Sequence, residues 1–297
     1  FAMPTLVDTL SGAIGAGCCT AFGLPFDVAK ARLQNSPHAY GGLIDCTAKT
    51  ARHEGFLALY RGWLPALSSA VAENSVGITT QRTLRRQLAA WRGVSADTRY
   101  SVGVEVGLGA ATGVFTSVAI TPFEVLKVRL QVQTHGASSG GTLAAVAGGL
   151  LRNEGARGLF RGLPAVICRD VPFNALFYGA YETICTLCLQ WKGLSNKDEL
   201  SSAYIFVAGG LAGCIGWSCI LPFDVVKTRQ QAGSATGSVT AVMWQVVATG
   251  GWRALFHGWT AAVCRAFPAN AGLFLGVEVS SRWLARTIDE NSEKELR

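Results

Sequence analysis

Charged residues are scarce in this sequence, and the scarcity limits the kinds of protein it can encode. Asp, Glu, Lys and Arg make up 15% of the 297 residues, whereas hydrophobic residues make up 49% and the mean hydropathy is +0.30. Soluble domains typically carry about 25% charged residues. The length would allow two soluble domains, but the composition argues against a soluble protein.

Metal-binding and disulfide patterns are also lacking. The four histidines are scattered, and the single C-x-x-C pair, Cys185 and Cys188, has no second pair or nearby histidine to complete a zinc site. Nine cysteines in so long a chain do not form a disulfide framework. A basic stripe with interleaved aromatic residues, typical of nucleic-acid binding, is absent as well. We therefore expect no metal, no cofactor and no nucleic-acid partner.

What the sequence does contain is six apolar stretches, each close to the ~20 residues that a helix needs to cross a bilayer. Glycines recur in the odd-numbered stretches, where we expect them to let neighbouring helices approach closely. The pattern predicts an all-α membrane protein with six transmembrane helices. The stretches are residues 6–24, 63–80, 102–121, 163–181, 204–221 and 259–277.

A two-part motif occurs three times along the chain. The first part reads PFDVAKARLQ from Pro25, PFEVLKVRLQ from Pro122 and PFDVVKTRQQ from Pro222. The second part follows as an acid and a glycine, then a base and a glycine, but Gly250 and His257 replace the acid and the base in the third copy. Repeats of this length divide a chain into structural units. We predict three repeats, at residues 1–97, 98–198 and 199–297.

The segments between the two parts of each motif are strongly basic. Residues 30–62, 127–162 and 227–258 together hold 13 Lys or Arg and 3 acids. A basic face beside membrane-spanning stretches is typical of the retained side of a membrane and of a surface that contacts anionic lipids.

These motifs and the six apolar stretches resemble the mitochondrial carrier family over essentially the whole chain. The resemblance implies six tilted transmembrane helices in three pseudo-symmetric repeats around a central cavity. It also implies a monomer in the mitochondrial inner membrane, a surrounding bilayer with cardiolipin as a partner, and transport of a small-molecule substrate by alternating access. No reaction would be catalysed.

The charged residues of the three proline motifs lie three positions apart and so share one face of each helix. The resemblance identifies them as a salt-bridge network that closes the matrix side, with the glutamines as braces beneath it. The implied pairs are Asp27 with Lys127, Glu124 with Lys227, and Asp224 with Lys30, and the braces are Gln34, Gln131 and Gln231.

The corresponding gate on the cytoplasmic side is incomplete in this sequence. In the family each even-numbered helix carries an acid followed three residues later by a base. Here the positions that remain are Arg85, Glu182 and Glu278, and the family's pairing order leaves one bridge, between Glu278 and Arg85. We expect a weak cytoplasmic gate and an empty carrier that opens toward the cytoplasm.

Charges without counterparts in the other repeats are candidates for substrate binding, because asymmetric buried charges suit an asymmetric ligand. Two carboxylates and two arginines suit a zwitterion with an additional positive charge. An internal ion pair between Glu73 and Arg265 is the structural alternative. The candidates are Glu73, Asn74, Arg169, Asp170 and Arg265, with Trp217 as a wall for methylene groups.

Within the family, the stretches around these residues are similar to those of ornithine carriers. They include AENSV at 72–76, RDVP at 169–172 and RAFPAN at 265–270. Acylcarnitine carriers share the Arg-Asp pair and a sixth helix close to FLGVEV at 274–279. The sequence predicts an antiporter for ornithine or related basic amino acids, with a carnitine/acylcarnitine exchanger as the alternative.

An enzyme is the alternative from another functional class. The run around Gly107, Gly109 and Gly113 could form a strand and a nucleotide-binding turn. However, its spacing is not G-x-G-x-x-G, and equivalent glycines recur in the other repeats. We therefore expect a protein that is not an enzyme.

Overall fold

The computed structural model describes residues 6–94, 100, 102–133, 142–193 and 202–295, and these ranges contain helices and no strands. The all-α prediction is therefore confirmed. Three short helices, α2 (Leu43–Glu54), α5 (Leu143–Gly158) and α8 (Val239–Gly250), lie between the long helices of each repeat. The long helices are α1 (Leu6–Asn35), α3 (Trp63–Arg92), α4 (Val102–Val132), α6 (Leu163–Lys192), α7 (Ser202–Ala232) and α9 (Trp259–Glu295).

The six long helices form a closed ring. Each packs against the next along the chain, and α9 returns to pack against α1. The first, third and fifth long helices along the chain, α1, α4 and α7, also contact one another. We call these three the odd-numbered helices, and α3, α6 and α9 the even-numbered helices. We refer to the end of the ring at which the odd-numbered helices terminate as the matrix end, following the resemblance.

The proline of each repeat lies inside a helix. The sequence predicts that the proline motif ends each of these helices, and α1, α4 and α7 do end one residue beyond it. They run through Pro25, Pro122 and Pro222 for about three turns, so the first helix does not stop near Leu24, where its apolar stretch ends. The fixed φ of proline is compatible with a helix, and neighbouring helices can compensate for the lost hydrogen bond. The charged residues after each proline therefore stand on rigid helix.

The second long helix of each repeat, α3, α6 and α9, begins after a glycine with positive φ. Gly62, Gly162 and Gly258 have φ of 83°, 79° and 83°, a conformation that residues with a side chain rarely adopt. A Cβ at Gly62 would also lie 3.2 Å from the Lys127 carbonyl oxygen. These glycines place the start of each even helix directly against the end of an odd helix.

The polarity of the molecule suits a lipid environment. Charged and amide side chains such as Asp224, Lys227 and Gln231 are buried, whereas large apolar side chains such as Phe115 and Leu275 are more than half exposed. By length and composition alone, two helices within the described ranges, Gly107–Val132 and Val207–Ala232, are long and apolar enough to cross a membrane. Several other long helices carry charged residues that face the interior of the ring.

Candidate functional site

A cavity of about 320 Å³ lies inside the ring at the height of the proline motifs. Its walls come from the long helices of all three repeats. Equal numbers of acids and bases line it, so a neutral or zwitterionic ligand would meet no excess of either charge. The charged lining residues are Asp27, Lys30, Glu73, Glu124, Lys127, Arg169, Asp170, Asp224, Lys227 and Arg265.

The floor of the cavity is formed by three ion pairs between the odd-numbered helices. Each pair joins a lysine Nζ and a carboxylate oxygen across 2.7 Å, in the combinations that the resemblance implies. These contacts tie α1 to α4, α4 to α7 and α7 to α1. The pairs are Lys127 with Asp27, Lys227 with Glu124, and Lys30 with Asp224.

The three glutamines beneath the ion pairs are not equivalent. Gln34 donates a hydrogen bond from Nε2 to Asp224 at 2.8 Å and accepts one from Thr228 at 2.6 Å. Gln131 and Gln231 are also buried, but among the described residues Nε2 of Gln131 and both polar atoms of Gln231 have no hydrogen-bond partner. One of the three glutamines therefore contacts an acid of the ion pairs, and the two at the equivalent positions lack that contact among the described residues.

The two candidate arginines contact the floor of the cavity. Arg169 lies 3.1 Å from Glu124, 2.5 Å from Asp170 and 3.5 Å from Asp224. Arg265 Nε lies 2.6 Å from Asp27 Oδ1, an ion pair whose angle is too poor for an aligned hydrogen bond. Each acid of the floor is thus shared between a lysine and an arginine.

The remaining candidates differ in position. Glu73 lines the cavity and makes no ion pair or hydrogen bond with any residue that the structure describes, including Arg265. Asp170 also lines it, bound to Arg169 and 3.4 Å from the Ser117 hydroxyl. Asn74 is not among the lining residues, since its side chain donates to the Ala70 carbonyl on its own helix.

Trp217 forms part of the wall. The Lys30 ammonium lies 3.9 Å from the centre of its ring, which is a cation–π contact, and Phe173 packs against it at 5.5 Å. The indole therefore already faces a cation of the floor.

The predicted cytoplasmic gate falls mostly outside the described side chains. Arg85 lies on α3, with its guanidinium 5.9 Å from the ring centre of Tyr100. The side chains of Glu182 and Glu278 are not among those that the structure describes, so the expected bridge between Glu278 and Arg85 stays a prediction.

A further set of contacts was not assigned a role from the sequence. In the first repeat Arg32 and Arg61 both bind Glu54, and Arg32 also donates to the carbonyl of Gln131 on α4. We call such an arginine–acid–arginine group a clamp. The threefold recurrence of the second motif was the signal that could have identified it.

The second repeat forms the same clamp. Arg129 and Arg161 bind Glu154 at 2.5 and 2.9 Å, and Arg129 donates to the carbonyl of Gln231 on α7. Partial burial alone would raise the pKa of Glu154, but the hydrogen bonds from Arg129 and Arg161 outweigh it and lower the pKa. The carboxylate is therefore ionised at neutral pH.

Comparison with known proteins agrees with this geometry. The sequence model described as "Mitochondrial carrier protein" matches residues 2–90, 98–190 and 198–287. Mitochondrial ornithine transporter 1 of Mus musculus is 31% identical, with 97% of this chain and 98% of that protein covered. The mitochondrial carnitine/acylcarnitine carrier protein of Homo sapiens is 32% identical, with 94% of each covered.

A third relative, mitochondrial substrate carrier family protein S of Dictyostelium discoideum, is 33% identical over 91% of this chain and 94% of that protein. The three matched segments and the near full-length relatives establish the assignment that the repeats suggested. The chain belongs to the mitochondrial carrier family and is a transporter.

Proposed function

We propose that the protein is an antiporter of the mitochondrial inner membrane that exchanges ornithine or related basic amino acids. The observation that carries the proposal is Glu73, a cavity carboxylate without an ion-pair partner among the described residues. The Glu73 side chain is exposed to the open cavity. Its carboxylate can therefore bind a cationic ligand through a charge-assisted hydrogen bond.

The other polar groups of the cavity suit the remaining parts of such a ligand. Arg169 and Arg265 can bind a substrate carboxylate through their guanidinium forks. Glu73 lies four residues after Ser69 on α3, the repeat counterpart of the arginines, and four residues rise about 6 Å along a helix. This separation is comparable to the span of an ornithine side chain, so Glu73 and Asp170 would bind its two ammonium groups.

Substrate binding would act directly on the matrix end. In the structure Arg169 and Arg265 bind the same acids that pair with the lysines of the floor. A substrate carboxylate competes for those arginines and so removes one of the two cations from each acid. The floor is weakened only when the site is filled, which couples exchange to opening by alternating access.

Uptake of radiolabelled ornithine into liposomes that contain the purified protein tests the proposal. We expect exchange against internal ornithine or arginine, and a loss of about tenfold or more in Glu73→Gln, because a hydrogen bond to a charged group contributes about 1.5–3 kcal/mol. Asp45→Asn is the matched control, since it removes a carboxylate from the partly exposed face of α2. Acylcarnitine exchange that is indifferent to Glu73→Gln would refute the proposal.

The alternative, a carnitine/acylcarnitine exchanger, is supported by relatives of similar identity. Two features weigh against it. The face of Trp217 is occupied by Lys30, so this ring is not a free partner for a quaternary ammonium group. Ten of the 22 lining residues are charged, whereas an acyl chain needs an apolar wall.

The oligomeric state, the lipid surroundings and the repeat boundaries of the transporter are also part of the proposal. We propose a monomer with its basic matrix end facing an anionic lipid surface that contains cardiolipin, as its basic segments favour. The three repeats would have the boundaries 1–97, 98–198 and 199–297.

A further inference from the structure

The even-numbered helices carry three different side chains in the layer of the ring that contains Glu73. Relative to the glycines that precede these helices, the equivalent positions are Glu73 on α3, Phe173 on α6 and Ala269 on α9. Each lies one turn, or about 6 Å along its helix, beyond the layer of the two cavity arginines. The layer therefore holds one acid, one aromatic ring and one methyl group.

Two members of this layer face the cavity. Glu73 and Phe173 both line it, whereas Ala269 does not. Ala269 is buried against α1, where a Cβ added at Gly23 would lie 3.4 Å from the Ala269 Cβ. Phe173 is therefore the member of the layer that narrows the cavity at the height of Glu73.

The ring of Phe173 rests on the backbone of α7. A Cβ added at Gly216 would lie 2.9 Å from Cε2 of Phe173, so the ring occupies the space in which a side chain at this position would stand. The counterparts of Gly216 in the other repeats, six residues before the proline, are Cys19 and Thr116. The third repeat alone has glycine at this position, and this glycine allows the ring to sit against α7.

Trp217, the next residue along α7, packs against the same ring. The centres of the Phe173 and Trp217 rings are 5.5 Å apart, and their planes are tilted by 51°, an arrangement that stabilises aromatic pairs. On the Trp217 ring lies the ammonium of Lys30, which also pairs with Asp224 of the floor. The two aromatic rings therefore form a wall that is joined to the floor of the cavity.

This aromatic wall stands across the cavity from the helix of Glu73. In the ring of six long helices, α3 and α7 are separated by two helices in either direction, α4 and α6 on one side and α1 and α9 on the other. A group bound by the Glu73 carboxylate thus has the wall on its far side. The room between them limits the size of that group.

We propose that Phe173 is a specificity-determining residue that limits the size of the cationic end of the substrate. The inference rests on the proposed exchange of basic amino acids, in which Glu73 binds the side-chain ammonium group. A ring held against α7 leaves room for the compact ammonium of ornithine and disfavours the larger guanidinium of arginine, because a closely packed site tolerates extra volume poorly. The wild type should therefore prefer ornithine to arginine.

Competition for ornithine exchange in liposomes tests the inference. Unlabelled ornithine and arginine are compared as inhibitors of radiolabelled ornithine uptake, and the ratio of their inhibition constants does not depend on the amount of active protein. Phe173→Ala should lower the arginine-to-ornithine ratio by about tenfold, the lower end of the discrimination that one misfitting group gives in an apolar pocket. Phe115→Ala is the matched control and should leave the ratio unchanged, since it removes an exposed ring that does not line the cavity.

Phe173→Leu is the second variant and decides the matter if the alanine variant does not fold. Leucine keeps an apolar contact with α7 but is smaller than the ring, so the ratio should fall by a smaller factor. An unchanged ratio in a folded Phe173 variant would overturn the inference and leave the exchange proposal standing. A wild type that exchanges neither ornithine nor arginine would overturn both.

Discussion

At the scale of the residue, the acids of the matrix end share a common design in which each carboxylate has two cationic partners. Asp27 lies against Lys127 and Arg265, and Glu124 against Lys227 and Arg169. Removing one partner of a buried ion pair is strongly destabilising because the other charge is left uncompensated. A second cation limits that cost, because one of the two ion pairs can be broken while the acid stays ionised against the other cation.

The clamp of repeat 2 should show this dependence on charge as a function of pH. The pKa of Glu154 lies below its usual value of 4.5 in the folded protein, so its stabilising contribution is complete above the unfolded value and is lost as the pH falls through the folded value. Glu154→Gln should therefore lower Tm at pH 7. The difference from the wild type should shrink as the pH falls below 4.5 and should disappear below the pKa of Glu154 in the folded protein.

Thermal unfolding between pH 7 and pH 3 measures this difference. Asp45→Asn again serves as the control, because the pair of Asp45 with Lys49 lies on the exposed face of α2 and joins no repeats. A Tm difference that is unchanged at the lowest pH would show that Glu154 acts through packing and not through charge.

At the scale of the element, two glycines of α9 that the sequence did not single out make close contacts between repeats. The glycines of α1, α4 and α7 were expected to allow close packing, and the outcome is mixed: a Cβ at Gly113 would lie 3.3 Å from the Val171 side chain, whereas one at Gly107 or Gly109 would meet nothing within 4 Å. In contrast, a Cβ at Gly272 on α9 would lie 2.6 Å from the Phe22 ring, and one at Gly276 would lie 2.8 Å from the Cα of Gly15. The contact of α9 with α1 therefore closes the ring.

Gly272→Ala should weaken this contact. The added methyl group would also lie 2.9 Å from the Cys18 carbonyl, a backbone atom that cannot move aside cheaply, and overpacking of this kind typically costs about 1–3 kcal/mol. We expect a lower Tm by several degrees. Gly77→Ala on α3 is the matched control, because the site is open and alanine favours helix. Equal melting of the two variants would contradict the packing argument.

At the scale of the whole molecule, the three ion pairs of the floor join helices from different repeats into one closed end. They connect residues about 100 or more positions apart, so each pair depends on the ring as a whole. We therefore predict that a state open to the matrix would have to break them together.

A charge swap tests whether these pairs act as a gate. Asp27→Lys should abolish exchange in liposomes, because it places a cation against both Lys127 and Arg265. Adding Lys127→Asp should restore part of the activity, although the new lysine still faces Arg265. If the double variant is no more active than either single variant, the assignment of this pair to the gate is wrong.

The sequence by itself determined the fold class and the repeats. Apolar stretches long enough to cross a bilayer and a motif that occurs three times are local patterns of the sequence. Because Lys30 lies three residues after Asp27, the two side chains share one face of the helix, and this needs no further information. The partners of the three lysines followed from the family resemblance. The structure has Lys127, Lys227 and Lys30 on the expected acids.

Only the tertiary structure decided which side chains meet at each height of the ring. Arg169 and Arg265 reach the acids of the floor, and Asn74 turns to its own helix. Arg32 and Arg129 reach the carbonyl groups of Gln131 and Gln231 on the neighbouring repeat. Helical periodicity specifies the face on which a residue lies, but not how far one helix slides along its neighbour. That register is set by close contacts between distant segments, such as Gly276 against Gly15, which no local pattern encodes.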